Sequence, residues 1–196
     1  MSFRLGLTGS IGMGKSTTAQ MFVDEGCALW DADAAVHRLY AAGGAAVAPL
    51  GALFPEAVTG GDVSREALKR IITADPSALK RIEAVVHPLV AEDRAGFIAT
   101  STAEIVILDI PLLFEGGGRG VDATVVVTAP PEVQRARVLA RGTMSEAQFE
   151  MILAKQMPDA EKRARADYVV LTDTMENARA QVREIVNDIK EKIKNA

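Results

Sequence analysis

Residues 9–16 read Gly-Ser-Ile-Gly-Met-Gly-Lys-Ser, the spacing G-x-x-x-x-G-K-[ST]. These residue types at this spacing suit phosphate. Glycines adopt positive φ and let the backbone come close to phosphate oxygens. The N–H groups of such a loop, and of a helix that starts after it, present partial positive charge to an anion. The backbone at Gly12, Met13 and Gly14 would cradle the phosphates, and Lys15 would reach the β- and γ-phosphates. The Ser16 hydroxyl could ligate Mg²⁺, and Thr17 is placed to touch the α-phosphate. The implied ligand is a nucleoside triphosphate with Mg²⁺; the motif does not say what happens to the phosphate. A glycine-rich turn that merely precedes a lysine is the competing reading, and the apolar run just before the motif argues against it.

Carboxylates and arginines elsewhere could act on that phosphate. Glu-Ile-Val-Ile-Leu-Asp at 104–109 is an apolar run that ends in Asp109. Ligands of parallel sheets gather at the carboxyl ends of the strands, so Asp109 is a second candidate for the metal, unless it merely ends a strand. Asp31 and Asp33 follow another apolar run. One aspartate could accept a proton from an acceptor hydroxyl, and one could cap the helix that follows. Arg135, Arg137 and Arg141 form a cationic run, with Arg137 and Arg141 on one helix face. Such arginines can neutralise a transferring phosphoryl group; a solvated basic face is the alternative for Arg135. His87 before Pro88 reads as a buried, hydrogen-bonded histidine ahead of a helix break, or as a substrate contact.

The elements that position these residues are an alternation of strands and helices. Runs at 3–7, 27–30, 105–108, 124–127 and 169–171 are apolar almost throughout, as strands buried on both faces are. Helical patterns fall between them, so the fold class is α/β, a five-stranded parallel sheet with helices on both faces. Residues 16–25 follow the motif as a helix, and 34–40 read as another. Residues 43–61 read as a loop with short helical pieces, and 64–86 as helix with a break near Asp75-Pro76. That middle segment is too long for a simple crossover, so a small helical subdomain is expected. Residues 145–156 read as helix with Phe149, Ile152 and Leu153 on one face. Its capping box is Ser145 with Gln148, or Thr143 with Glu146. Val182, Ile185, Val186, Ile189 and Ile193 recur at helical spacing in the last helix.

The chain has 196 residues, 22 Lys+Arg and 26 Asp+Glu, a net charge of −4. That length suits one domain with a full core. The charge argues against a nucleic-acid binder. One cysteine, Cys27, excludes an intrachain disulfide, and two histidines far apart exclude a Cys/His zinc site. Cys27 and Trp30 read as core residues. The opening residues lack a signal peptide's regions, and no apolar run approaches the roughly 20 residues that span a bilayer. A cytoplasmic protein without a membrane segment is expected. The sequence sets no oligomeric state and does not choose between ATP and GTP.

Among phosphate chemistries, no Asn-Lys-x-Asp follows a strand, and Asp109-Ile110-Pro111-Leu112 is not a GTPase Asp-x-x-Gly. No ABC-type signature is present, and the chain is short for a helicase core. A small-molecule kinase remains, against two rivals: an ATPase without an acceptor, and a nucleotide-sensing interaction protein.

At this point the chain resembles the dephospho-coenzyme A kinase family over nearly its whole length. The matching motifs are Gly-Leu-Thr-Gly-Ser-Ile-Gly-Met-Gly-Lys-Ser-Thr at 6–17, Asp-Ala-Asp at 31–33 with His37, and His87-Pro88. Asp-Ile-Pro-Leu-Leu-Phe-Glu at 109–115, Arg141, the Ser-x-x-Gln helix ending at Gln156, and Ala-Asp-Tyr-Val-Val at 166–170 complete the set. The resemblance implies ATP- and Mg²⁺-dependent phosphorylation of the ribose 3′-hydroxyl of dephospho-coenzyme A, giving coenzyme A and ADP. It implies a three-layer P-loop kinase fold: a core at about 1–33, 103–132 and 159–196, a helical coenzyme-A-binding insertion at about 34–102, and a lid at about 133–158. It further implies Asp33 as the base, with Lys15 and Arg141 also catalytic, and Ser16 and Asp109 on the metal. ATP would lie on residues 12–17, and the acceptor on Thr8, Asp33, His87, Pro111, Leu112, Phe114 and Glu115. Two departures stand out: Leu-Thr-Asp-Thr at 171–174, where the family often carries Asn-Gly near adenine, and a Gly-Gly-Gly run at 116–118 that suggests a mobile loop.

Overall fold

In chain order the elements are β1 (Phe3–Thr8), α1 (Lys15–Asp24), β2 (Ala28–Asp31), α2 (Ala32–Tyr40) and α3 (Val47–Leu53). A single 3₁₀ turn (Pro55–Ala57) precedes β3 (Val58–Thr59) and β4 (Asp62–Val63), then α4 (Arg65–Ala74) and α5 (Ala78–Thr100). The chain continues through β5 (Ile105–Asp109), β6 (Ala123–Thr128), α6 (Pro131–Ala140), α7 (Glu146–Lys155), α8 (Asp159–Arg165), β7 (Tyr168–Leu171) and α9 (Met175–Lys194). The computed structural model describes residues 2–118 and 120–195. It divides into two compact units, Met1–Trp30 with Ser101–Ala196, and Asp31–Thr100.

The first unit is built on a five-stranded sheet in the order β2-β5-β1-β6-β7, which is parallel. The apolar runs become its strands because residues on both of their faces are covered. Every residue of β5 is buried, as are Leu5 and Leu7 of β1 and Val125, Val126 and Val127 of β6. α1 and α9 pack together on this sheet, and Phe22, Met21, Val182, Val186 and Ile189 join one core with the strands. Cys27 is in that core, and Trp30 of β2 is likewise buried. The α7 cap is the Ser145–Gln148 box, with Ser145 Oγ accepting the Gln148 N–H and Gln148 Oε1 accepting the Ser145 N–H. α8 and the strand limits at Thr8, Asp109 and Thr128 extend the sequence reading.

The second unit has its own core of Leu39, Tyr40, Leu50, Phe54, Val63, Leu68, Ile82 and Val86. Helix α4 ends at Asp75, whose carboxylate accepts the Ser77 N–H before α5 begins, so the expected break is present. The short helical pieces expected within 43–61 are α3 and the 3₁₀ turn, but two features differ from the sequence reading. The loop at 43–61 contains half of a β3-β4 hairpin, closed by Gly60 and Gly61 with φ of 63° and 93°. A two-glycine turn between Val58-Thr59 and Asp62-Val63 is a hairpin signal, because both central residues need positive φ. Second, α5 does not break at His87-Pro88 but runs 23 residues with Pro88 inside it, and His87 is exposed rather than buried. Proline removes the hydrogen bond to residue i−4, here Ala84, which is exposed, so water can serve that carbonyl. Ile82 and Val86 before the proline, and Leu89 and Val90 after it, pack on the same core and hold the helix through.

Among the described residues no helix is long and apolar enough to cross a membrane.

Candidate nucleotide site

The central position of β1 sets up the site. It lies between β5 and β6, with Leu7 opposite Asp109 and Thr8 opposite Val126. The loop that leaves its carboxyl end therefore emerges beside the end of β5. Gly14, with φ 92°, stands before α1, and no side chain caps the first turn of that helix. Its early N–H groups are thus available to an anion, as are those of the loop. Lys15 forms an ion pair with Asp109, 94 residues further along the chain, whose side chain is only 3% exposed. The structure so gathers Gly12, Met13, Gly14, Lys15, Ser16, Thr17 and Asp109 at one place, with Ser16 and Thr17 exposed on the first turn of α1.

The loop is held in shape by long-range hydrogen bonds. Met13 is buried, its sulfur accepts the Ala129 N–H at 3.1 Å, and its carbonyl accepts the Thr172 hydroxyl at 2.7 Å. Gln134 Nε2 donates to the Ile11 carbonyl at 2.6 Å, and the Ile11 N–H donates to Gln156 Oε1 at 3.2 Å. Arg137 donates through both terminal nitrogens to Thr172, at 2.8 Å to Oγ1 and 2.6 Å to the carbonyl. A cavity of about 300 Å³ adjoins the loop, lined by Gly14, Thr17, Arg137, Arg141, Asp173 and Thr174 among others. Asp173 is held below the ordinary carboxylate range by hydrogen bonds from the Asn177 amide and the Thr174 N–H.

The arginine run separates by role. Arg137 is fixed against Thr172, Arg141 lines the cavity, and Arg135 is tied to Glu146 and Glu150 and stacked 5.7 Å from the Phe149 ring. Arg135 thus joins α6 to α7, a structural task. Gln134, Thr172 and Lys162 carry no motif that one sequence would flag; only folding brings them to the loop and its neighbours.

The segment after β5 begins at Pro111, whose carbonyl accepts the Thr8 hydroxyl at 3.0 Å. Leu113 is buried while Leu112 is 51% exposed, so Leu113 anchors the turn and Leu112 projects outward. Phe114 is half-buried. The Glu115 carboxylate accepts the Met157 N–H at 3.0 Å and pairs with Lys162 at 3.1 Å. Burial pushes Glu115 up, but the Met157 N–H, its own backbone N–H and Lys162 together hold it below the usual carboxylate range.

Asp33 and His87 belong to the second unit, and both are exposed. Asp31 is the helix cap, its Oδ1 accepting the Ala34 N–H at 2.8 Å. The Asp33 carbonyl faces Arg65 at 3.5 Å, while its carboxylate takes no hydrogen bond among the described residues.

A Gly-rich loop between the first strand and first helix of a parallel sheet, with a lysine and a neighbouring-strand aspartate, defines a P-loop nucleotide-binding protein. Comparison narrows the class. The model of the dephospho-CoA kinase family matches residues 3–177, and the chain belongs to that family. A curated relative from Ruegeria pomeroyi called dephospho-CoA kinase is 70% identical over 191 residues, 97% of each chain. A crystal structure of a Thermus thermophilus protein superposes with a TM-score of 0.85 at 38% identity, covering 95% of this chain and 97% of that one. A dephospho-CoA kinase structure from Campylobacter jejuni shares the fold, with a TM-score of 0.65 at 20% identity over 96% of this chain and 97% of that one.

Proposed function

We propose that the protein transfers the γ-phosphate of ATP to the ribose 3′-hydroxyl of dephospho-coenzyme A, releasing coenzyme A and ADP. The observation that carries this reading is the cradle at the end of β1, with Lys15 on Asp109, in a chain of the dephospho-CoA kinase family. ATP phosphates lie on the backbone of residues 12–17, and the nucleoside lies in the adjoining 300 Å³ cavity. Lys15, Arg137 and Arg141 neutralise charge that develops on the transferring group. Asp33 takes the proton of the acceptor hydroxyl as its oxygen bonds to the γ-phosphorus and the bond to the β-phosphate oxygen breaks. Thr8, His87 and the segment Pro111, Leu112, Phe114 and Glu115 contact the acceptor. Residues at about 34–102 bind the coenzyme A moiety, and those at about 133–158 act as a lid that excludes water.

The metal is Mg²⁺. Among the described residues no group of three or more His, Cys, Asp or Glu could hold an ion alone. Mg²⁺ carried by a nucleotide needs only one or two protein oxygens, keeping waters and phosphates as its other ligands, and Asp109 with the Ser16 hydroxyl fits that demand. Those two residues would hold it, and it would supply positive charge that offsets the charge of the phosphates. The reading places the reaction in the cytoplasm, where ATP is available. ADP release from Mg–ATP, measured with and without dephospho-coenzyme A, tests it. Release should depend strongly on the acceptor; acceptor-independent release would make the protein an ATPase.

A further inference from the structure

The chain that leaves α7 touches two loops with different tasks. Gln156, which ends α7, accepts the Ile11 N–H of the phosphate loop at 3.2 Å. The next residue, Met157, donates its N–H to the Glu115 carboxylate at 3.0 Å. Lys162 places its Nζ 3.1 Å from the same Glu115 oxygen, an ion pair without the alignment of a hydrogen bond. Lys162 is 0% exposed, so it is no solvated surface lysine, and a buried ammonium is strongly disfavoured without a facing counter-charge. Between them, Asp159 accepts the Thr128 hydroxyl at 2.8 Å, which pins the start of α8 to the end of β6, and it forms an ion pair with Arg163 at 2.9 Å. Residues 156–162 are therefore fastened at three points: the phosphate loop, the sheet end and Glu115.

The Ile11 N–H belongs to the loop whose N–H groups receive phosphate. Ile11 adjoins residues 12–17, on which the phosphates lie in the proposed reading, so nucleotide there acts on the Gln156 contact through the neighbouring backbone. Any shift at Gln156 passes at once to Met157, since the two are adjacent in the chain. The α8 helix and Pro158 before it leave little slack for the segment to absorb the shift locally.

We propose that residues 156–162 are a positioning link through which nucleotide in the cradle sets the Glu115 carboxylate for the acceptor, with Gln156 at the donor end and Lys162 at the acceptor end. The proposal rests on the reading that residues 111–115 contact dephospho-coenzyme A. Coupling needs a measured ratio rather than a drawn path.

The test is calorimetric binding of dephospho-coenzyme A to the full protein, with and without saturating Mg²⁺ and adenylyl imidodiphosphate. In the wild type the nucleotide should tighten acceptor binding by about fivefold or more. Gln156→Ala alters only the phosphate-loop contact and Lys162→Met only the Glu115 contact, yet each should bring that ratio toward one. The double variant should lose no more than either single. Lys162→Met removes a buried charge and its folding is checked by thermal unfolding; Gln156→Ala, half-buried and uncharged, carries the test alone if that variant does not fold. An unchanged ratio in folded Gln156→Ala, or independent binding of the two ligands by the wild type, overturns the link. A wild type that neither binds nor phosphorylates dephospho-coenzyme A overturns the functional reading and the link with it. Transfer with an unaltered ratio overturns the link alone.

Discussion

Gly12→Ala tests how the phosphate loop is packed. Gly12 has φ +78°, and an ideal Cβ there would lie 2.4 Å from Val138 Cγ2 and 3.1 Å from the Gln134 carbonyl oxygen. Carbon atoms in contact prefer about 3.5–4.0 Å, so the valine methyl must retreat by about 1 Å or more. Val138 is 1% exposed and, being β-branched, is stiff at χ1, so it has nowhere easy to go. The left-handed backbone costs an alanine about 1–2 kcal/mol, and overpacking adds about 1–3. The sum, about 2–5 kcal/mol, corresponds to a Tm drop of about 4–20 °C for a chain of this size. Urea unfolding of four proteins separates the two terms: wild type, Gly12→Ala, Val138→Ala and the double variant. Val138→Ala alone should cost about 2 kcal/mol. In that background Gly12→Ala should cost only its backbone share, about 1–2 kcal/mol. An equal cost in both backgrounds would show that the Val138 contact is not the source. A cost below about 0.5 kcal/mol in the wild type, the range of surface substitutions, would refute the packing of the loop against α6.

Lys15→Ala should lower turnover by at least about 10²-fold while the circular dichroism spectrum is kept, and near-normal turnover in the folded variant would remove Lys15 from the γ-phosphate. Asp33→Asn should lower kcat by about 10²–10⁴-fold with little change in Mg–ATP affinity; a defect mainly in ATP binding would take the proton-accepting role away from Asp33. Burial pushes the Cys27 thiol up from 9.0 to about 11. At pH 8 its thiolate is then about 100-fold scarcer than an exposed thiol's, so reaction with a disulfide reagent should be slow until urea unfolds the chain. The unfolded thiol ionises near 9.0 and the folded one near 11, so stability should fall as pH rises through that window, by at most about 1.4 kcal/mol per pH unit. A Cys27→Ala variant whose alkaline loss matches the wild type's would refute the assignment.

Much of the first unit was written locally. Strands covered on both faces must be apolar at nearly every position, so β1, β5 and β6 stood out as continuous runs. The period of Val182, Ile185, Val186 and Ile189 marked the buried face of α9, and Ser145 with Gln148 marked the start of α7, because these signals depend on neighbours within a turn. The phosphate loop was equally legible, since its glycines answer to backbone geometry rather than to distant partners. The β3-β4 hairpin was also local, and its Gly60-Gly61 turn could have been read from the sequence.

What only the tertiary structure decided depends on partners far apart in the chain. Asp31 and Asp33 are equivalent as sequence, and the hydrogen bond to the Ala34 N–H is what made Asp31 the cap. Pro88 has the same helix-breaking chemistry anywhere, yet packing of Val86 and Leu89 on a shared core outweighed the lost bond. The pairing of Lys15 with Asp109 follows from the β1–β5 register, and that of Glu115 with Lys162 from the seat of α8 against the end of β6. Gln134 and Gln156 meet Ile11 across 123 and 145 residues. A single glutamine or lysine carries no mark of such a partner, because its role is fixed by which strands and helices fold beside it.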